Sequence, residues 1–244
     1  MSQDLTLMDS AGWSALRSAL NQRVVLINEA LIPSKRNRVW IVETDVRPVV
    51  LKRSLCGRAE KEFASLMSAR KAGLDVPFPL LLSDNHIVME YIPGERCDAL
   101  VNHLFSSKAA ENLAKWLARF HEHMGDGGMP VIMADAELSN FMVWDDKVYG
   151  FDLEDASEGD PLDDVGKLLA SILGSEPVFT PVKFDICMRL LETYEGETGM
   201  EARESVRPHI AKHLRLSATT RPLFRKVLLD AARTFESAGW PTLA

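Results

Sequence analysis

Polar residues that suit the transfer of a phosphoryl group occur in a fixed order along the chain. Lys52 ends the apolar run VVLK, and Glu62 follows in the helical segment EKEF. Further along, Asp135 and Asn140 belong to the loop DAELSN, and Asp152 ends the run YGFD. In phosphoryl transfer a protein mainly positions the reactants and neutralises charge. Cationic groups, metal-binding oxygens and a base are therefore the groups to look for.

The chemistry gives each of these side chains a role. Lys52 would neutralise the α- and β-phosphates of a nucleotide, and Glu62 would orient the flexible lysine. Asn140 and Asp152 offer the hard oxygen ligands that Mg²⁺ prefers. Asp135 would then accept a proton from an acceptor hydroxyl, or orient that hydroxyl.

Each residue also has an ordinary structural alternative. Lys52 could simply end a strand, and Glu60 and Glu62 could both be solvated helix charges, although the register with the apolar face favours Glu62. The acidic loop residues could be turn formers of a hairpin. A metal-dependent hydrolase would use those acids but would leave the lysine and the helix glutamate without a role.

The N-terminal pattern of apolar residues predicts a small sheet and one helix. Three β-branched runs are separated by the turns IPSKRN and VRP and predict an antiparallel meander, namely VVLINEALI, RVWIVETD and VVLK. A helix is predicted over 58–71 with Gly73 as its stop, followed by two strands in PFPLLLSD and NHIVMEYI. Pro93-Gly94 breaks this pattern. We therefore predict an N-lobe over 1–92 and a C-lobe over 93–244.

The C-terminal pattern is mainly helical. Leu113, Trp116, Leu117 and Phe120 share one helical face. The apolar runs VIMAD and NFMVWDDKVYGFD then predict a hairpin with its turn at Asp145-Asp146, and helices are predicted from Asp163 to Phe235. The predicted fold class is α+β with two lobes.

Composition excludes several classes of protein. The 244 residues carry a net charge of −7, which argues against a surface that binds nucleic acid throughout. Three widely spaced cysteines favour neither a disulfide framework nor a cysteine zinc site. The acidic N-terminus does not resemble a signal peptide, and no apolar run is long enough to span a membrane. We expect a cytoplasmic protein, and the sequence leaves its oligomeric state open.

Over residues 23–175 the sequence resembles the protein-kinase-like superfamily, particularly its small branches: aminoglycoside phosphotransferases, lipopolysaccharide sugar (Kdo) kinases and RIO-type kinases. Besides the groups above, VMEYIPGE resembles the hinge of these proteins. FDLEDASEGDP followed by LDDVGKLL is similar to the metal-aspartate strand and GDPxxDLA pattern of the phosphotransferases.

The resemblance implies a bilobal kinase-like fold with ATP and Mg²⁺ between a β-rich N-lobe and a helical C-lobe. Met89 would be the gatekeeper, and the backbone of Glu90, Tyr91 and Ile92 would face the adenine. Asp164 would brace the catalytic loop from the following helix.

Two departures from the family pattern leave an alternative open. Met133 stands where the family's HxD motif has histidine, and the turn IPSKRNRV has no glycine. We expect Ser34, Lys35 and Arg36 to cover the phosphates with side chains as well as backbone. The alternative is a pseudokinase, a nucleotide-binding regulatory module that acts through a partner.

The acceptor is predicted from what the chain lacks. Only twelve positions lead from Asp152 to Asp164, which is too few for the activation segment of kinases that dock peptides. We therefore expect a hydroxyl-bearing small molecule, with a RIO-like protein serine/threonine kinase as the alternative. Residues 33–71 hold ten Lys/Arg against four Asp/Glu, so the acidic remainder favours a cationic or sugar-like acceptor over a phosphate-rich one.

Overall fold

The computed structural model describes residues 9–20, 24–29, 36–125 and 128–240. The chain divides into two compact units, an N-terminal unit up to Pro93 and a C-terminal unit from Gly94. Among the described helices, none combines the length and the apolar composition of a membrane span.

The N-terminal unit is built on an antiparallel sheet. Its described elements are α1 (Ser10–Ala19), β1 (Val24–Glu29), β2 (Asn37–Thr44), β3 (Val49–Ser54), α2 (Ala59–Lys71), β4 (Pro79–Ser83) and β5 (His86–Glu90). The five strands lie in the order β1-β2-β3-β5-β4, and each neighbouring pair is antiparallel. The three-stranded meander, the helix and the two later strands all follow the sequence prediction. Gly73, with a φ of 75°, follows the end of α2 in the left-handed conformation that glycine adopts most readily.

Helix α1 was missed by the sequence reading, which began with the meander. The side chain of Asp9 caps this helix by accepting a hydrogen bond from the backbone of Gly12 at 2.8 Å. Ala15 and Leu16 are buried against core residues of the sheet that include Trp40. The helix has only ten residues, and two apolar side chains attach it to the core. So few apolar positions do not show the helical repeat clearly in the sequence.

The C-terminal unit is mainly helical. Its described elements are β6 (Glu95–Arg96), α3 (Cys97–Asn102), α4 (Ser107–His123), β7 (Val131–Ile132), β8 (Phe141–Trp144), β9 (Lys147–Gly150), β10 (Ser157–Glu158), α5 (Pro161–Gly174), α6 (Pro181–Thr198), α7 (Arg207–Thr220) and α8 (Arg225–Ser237). The predicted apolar face of α4, from Leu113 to Phe120, is buried. This burial, which removes apolar surface from water, holds the helix in the core.

The short strands differ in part from the prediction. β8 and β9 form the hairpin, and Asp145 and Asp146 make its turn with φ values of 50° and 60°. Two consecutive positive φ values are typical of the two-residue turns that suit the twist of a hairpin. The run VIMAD, however, contributes β7, which pairs with β10 and is not part of the hairpin. Two paired residues in each of these strands give too little alternation for the sequence to reveal the partner.

Helices α5 and α7 approach each other closely. A Cβ atom on Gly166 would lie 2.4 Å from the Cβ of His209, so only glycine fits at this crossing. Asp164, two residues before Gly166 on α5, accepts a hydrogen bond from the loop that follows β7.

Candidate active site

Lys52 and Glu62 form an ion pair inside the N-terminal unit. Lys52 lies on β3 in the middle of the sheet, between Val39 of β2 and Ile87 of β5 in the strand register. Its Nζ atom lies 2.7 Å from Oε1 of Glu62, and the two side chains are only 9% and 2% exposed. Glu60 is exposed, so α2 places the carboxylate of Glu62, not that of Glu60, against the lysine.

The segment that resembles a kinase hinge follows β5. Met89 is buried on the strand, Glu90 is its last residue, and Ile92 is buried just beyond it. Glu90 is tied to Phe78 twice: its N–H donates to the Phe78 carbonyl at 2.9 Å, and its Oε2 accepts from the Phe78 N–H at 3.1 Å. Tyr91 is half-buried between Glu90 and Ile92.

The turn predicted to cover the phosphates falls largely outside the described residues, which do not include Ser34 and Lys35. Arg36 is exposed immediately before β2, and its carbonyl accepts a hydrogen bond from Leu55 at 2.7 Å.

In the C-terminal unit, Asp164 holds the loop after β7. Its Oδ2 accepts a hydrogen bond from the N–H of Met133 at 2.6 Å, and its Oδ1 accepts from the N–H of Ala134 at 2.9 Å. Ala134 has a φ of 61°, a left-handed conformation that costs free energy in a non-glycine residue and therefore needs support. This contact is the brace that the resemblance implied for Asp164, one residue before Asp135.

A histidine from another element supports the same brace. Met133 is fully buried and is an apolar core residue. His121, on α4, places Nε2 3.1 Å from Oδ2 of Asp164, and its Nδ1 lies 2.8 Å from the hydroxyl of Tyr194. The sequence does not predict this link, because His121 and Asp164 lie 43 positions apart along the chain.

Asp135 and Asn140 are brought together by the loop. The Asn140 side-chain amide donates to the Asp135 backbone carbonyl at 2.8 Å and to its Oδ2 at 3.2 Å. The N–H of Phe151 donates to the Asn140 carbonyl at 2.9 Å, and Phe141 pairs with Gly150 in the hairpin. The β8–β9 hairpin therefore positions Asn140 and Asp152 next to its two ends, away from its turn.

The chemistry of these donors fits a divalent cation. Because the nitrogen of the Asn140 amide is committed to Asp135, its Oδ1 is the atom that would serve as a metal ligand. Asp152 adds a half-buried carboxylate, and an oxygen of the buried Glu154 lies within 4.8 Å of it. Amide and carboxylate oxygens are the hard donors that Mg²⁺ requires.

Lys167 is a site residue that the sequence reading missed. Its ammonium group donates a hydrogen bond to Oδ1 of Asp135 and lies 3.8 Å from Oε1 of Glu137. Lys167 follows Asp164 by three positions on α5, so both residues lie on the helix face directed to the loop. The three-residue spacing from Asp164 could therefore have identified Lys167, because Asp164 was already expected to contact the loop.

A cavity of about 610 Å³ lies beside this loop, within the C-terminal unit. Ala134 and Glu137 of the loop line it together with residues of α5 and α7, and Arg221 just after α7 completes the wall. Asp163 on its wall lies close to Lys212, His209 and His213, at 2.6, 3.3 and 3.1 Å respectively. Burial alone would raise the pKa of Asp163, but these neighbours lower it to about 2. The volume lies within the range of small-molecule sites.

Comparison with known proteins supports the kinase-like interpretation. The family model of the RIO domain matches residues 47–161, a span that contains Lys52, Glu62, Asp135, Asn140 and Asp152. No curated protein sequence matches the chain.

Three solved structures illustrate the structural similarity. The aminoglycoside phosphotransferase APH(2")-IIa in complex with gentamicin has a TM-score of 0.66 at 14% identity, with 95% of this chain and 96% of that chain covered. Macrolide 2'-phosphotransferase MphH from Brachybacterium faecium has a TM-score of 0.63 at 14% identity, covering 97% and 100%. Amicoumacin kinase hAmiN, in complex with AMP-PNP, Ca²⁺ and amicoumacin, has a TM-score of 0.62 at 13% identity, covering 94% and 87%.

The fold of this chain is α+β and resembles that of kinases, as the sequence predicted. The RIO domain match and these structures make the chain similar to proteins of the protein-kinase-like superfamily.

Proposed function

We propose that the chain is an ATP- and Mg²⁺-dependent phosphotransferase that moves the γ-phosphoryl group of ATP to a hydroxyl of a small-molecule acceptor. The observation that carries the proposal is the braced loop of the C-terminal unit. Asp164 fixes its backbone, and Asn140 and Lys167 both hold the carboxylate of Asp135. A carboxylate held by two neighbours is oriented before the substrate arrives, which is the preorganisation that catalysis by positioning requires.

Asp135 is the residue to which we assign the acceptor hydroxyl. Its carboxylate would orient that hydroxyl and accept its proton as the new bond to phosphorus forms. Lys167 would act through Asp135 as a positioning residue.

The remaining residues would bind the nucleotide and its metal. Asn140 and Asp152 would hold Mg²⁺, which neutralises phosphate charge when bound. Lys52, oriented by Glu62, would neutralise the α- and β-phosphates. We assign the adenine to the segment from Met89 to Ile92, and further phosphate contacts to Ser34, Lys35 and Arg36.

The contacts of Met133 favour an active enzyme over a pseudokinase. The histidine of the family's HxD motif is mainly a structural support, and the same loop here is held by Asp164, which His121 supports in turn. Loss of the motif histidine therefore leaves the loop braced.

The cavity beside the loop favours a small molecule as the acceptor. The similar structures include complexes with gentamicin and amicoumacin, which are both small molecules. The RIO domain match supports the second candidate, a RIO-like protein serine/threonine kinase. Labelled ATP offered with a metabolite pool and, separately, with generic protein substrates distinguishes the two. Transfer to protein alone would overturn the small-molecule assignment.

A matched pair of variants tests the metal assignment. Asp152 and Asp146 both have positive φ values, which asparagine tolerates, but Asp146 lies exposed in the hairpin turn. At a hundred times its dissociation constant, Mg-ATP should raise the melting temperature of the wild type by about 5–11 °C. Asp152→Asn should lose the Mg²⁺-dependent part of this shift, and Asp146→Asn should keep it. An unchanged Mg²⁺-dependent shift in Asp152→Asn would remove Asp152 from the metal site.

A further inference from the structure

Arg221 is a cation of the cavity that has no carboxylate partner among the described side chains. It follows the last residue of α7 and is half-buried in the cavity wall. One N–H of its guanidinium donates to the carbonyl of Gly174 at the end of α5, and its Cζ lies 4.7 Å from the centre of the Phe224 ring. These two contacts fix the plane of the guanidinium and leave most of its five N–H donors available.

The two lysines that line the cavity differ from Arg221, because a carboxylate already neutralises the charge of each. Lys167 is paired with Asp135, and Lys212 is paired with Asp163 at 2.6 Å. Asp163 is in turn surrounded by Lys212 and two histidines, so its carboxylate is not available to attract a cationic ligand. A cationic acceptor would therefore find Glu137 as the main available carboxylate of the cavity wall.

A second cation reinforces the positive charge near Arg221. Lys183 is fully buried, and its Nζ donates to the backbone carbonyl and the hydroxyl of Ser175 at 2.6 and 2.9 Å. No described carboxylate lies within ion-pair distance of it. Burial first, and the charge of Arg221 in addition, lower the pKa of Lys183 to about 8. The end of the cavity that α5 and α7 form is thus positive, although the chain as a whole is acidic.

We propose that the cavity takes a hydroxylated acceptor that also carries an anionic group, a carboxylate or a phosphate, and that Arg221 binds this group. The acceptor would lie with its hydroxyl toward Asp135 and its anion toward the ends of α5 and α7. A planar guanidinium can bind either anion with two parallel hydrogen bonds. This assignment rests on the proposed function, and it replaces the cationic or sugar-like acceptor that net charge predicted. The local charges of the cavity, which decide recognition at short range, differ from the average over the chain.

Binding of simple probe compounds tests the assignment without ATP or Mg²⁺. The probes are inorganic phosphate, gluconate, glucose and glucosamine, titrated at constant ionic strength while the melting temperature is measured. We expect phosphate or gluconate to raise the melting temperature by about 3–6 °C at ten times its dissociation constant. Glucose and glucosamine at the same concentration should produce smaller shifts. At equal concentrations, the anion with the larger shift identifies the group that the cavity prefers.

Variants of Arg221 assign the response to this site. Arg221→Gln should lose at least half of the anion-dependent shift, whereas Arg221→Lys, which keeps the charge, should retain more of it. The matched control is Arg215→Gln, on α7 six positions before Arg221 but paired with Glu236, and it should respond like the wild type.

Three results would overturn the proposal. The first is a wild type whose melting temperature does not change with either anion. The second is an equal rise in wild type and Arg221→Gln, and the third is a larger rise with glucosamine than with either anion. If Arg221→Gln does not fold, the comparison of wild type with Arg221→Lys decides, because loss of the two-pronged contact should still weaken the response. An anion response in a protein that never consumes Mg-ATP would keep the site and reject the proposed function.

Discussion

Removal of the lysine from the buried Lys52–Glu62 pair should destabilise the protein strongly. In Lys52→Met the carboxylate of Glu62 stays at 2% exposure without the ammonium group that lies 2.7 Å away. A buried carboxylate that loses its counter-ion is costly because it has been removed from water without compensation. The effect is therefore larger than that of an exposed ion pair.

The magnitude follows from the burial of both partners. Breaking a buried pair by removing one member typically costs about 3–5 kcal/mol in the free energy of unfolding. For a chain of this size that corresponds to a fall of about 6–20 °C in the melting temperature. Replacing both residues, as in Lys52→Met with Glu62→Leu, should cost less than Lys52→Met alone, because no unpaired charge is left.

Thermal and urea denaturation of the two single variants and the double variant complete a double-mutant cycle. The control is Lys61→Met, an exposed neighbour on α2, which should change the free energy of unfolding by less than about 0.5 kcal/mol. If the losses of the two single variants add up in the double variant, Lys52 and Glu62 do not interact as described.

Three further predictions concern the C-terminal unit. Lys167→Met should lower the rate of ADP release by about 10–100-fold, because Asp135 loses one charge-assisted hydrogen bond. Lys167→Arg keeps the charge and should recover part of the rate. Equal rates in the two variants would exclude a positioning role for Lys167. Gly166→Ala should reduce the free energy of unfolding by about 1–3 kcal/mol, because the added methyl group would meet His209. The control Gly196→Ala on α6 has open space around the new methyl group and should be neutral or stabilising. If urea denaturation shows an equal loss of stability in both variants, the close α5–α7 crossing is contradicted. Burial lowers the pKa of His213 beside Asp163, so the unfolded chain binds a proton more readily than the folded protein does. The stability of the wild type should therefore fall as the pH drops through about 6.5. Melting curves from pH 7.5 to 5 should show a smaller fall for His213→Gln, and an unchanged dependence on pH would count against this assignment.

The sequence predicted the elements whose positions depend on local patterns. The meander around Lys52 and the helix that carries Glu62 follow from short-range periodicity, whereas the pairing of the two side chains was expected from the chemistry of phosphoryl transfer. The β8–β9 hairpin was likewise visible in its Asp145-Asp146 turn, and it accounts for the placement of Asn140 and Asp152.

Contacts between distant helices could not be predicted in the same way. The histidine that reaches Asp164 is His121, from α4, and Lys167 was overlooked because a lysine on a helix is usually solvated. Arg221 becomes part of the cavity because α5 and α7 pack together, which places it beside Gly174 at the end of α5. Neither the crossing nor the burial it creates has a signature in a single sequence, whereas helix periodicity does.

The central claim, phosphoryl transfer with Asp135 at the acceptor, is tested most directly by the consumption of Mg-ATP in the presence of a pool of hydroxylated metabolites. We expect the wild type to release ADP only with Mg²⁺. Asp135→Asn should lower this rate by about 10²–10⁴-fold while the Mg-ATP-induced rise in melting temperature persists. Asp145→Asn, in the exposed hairpin turn, should match the wild type. A wild type that binds Mg-ATP without consuming it, or an Asp135→Asn variant that is as active as the wild type, would contradict the account.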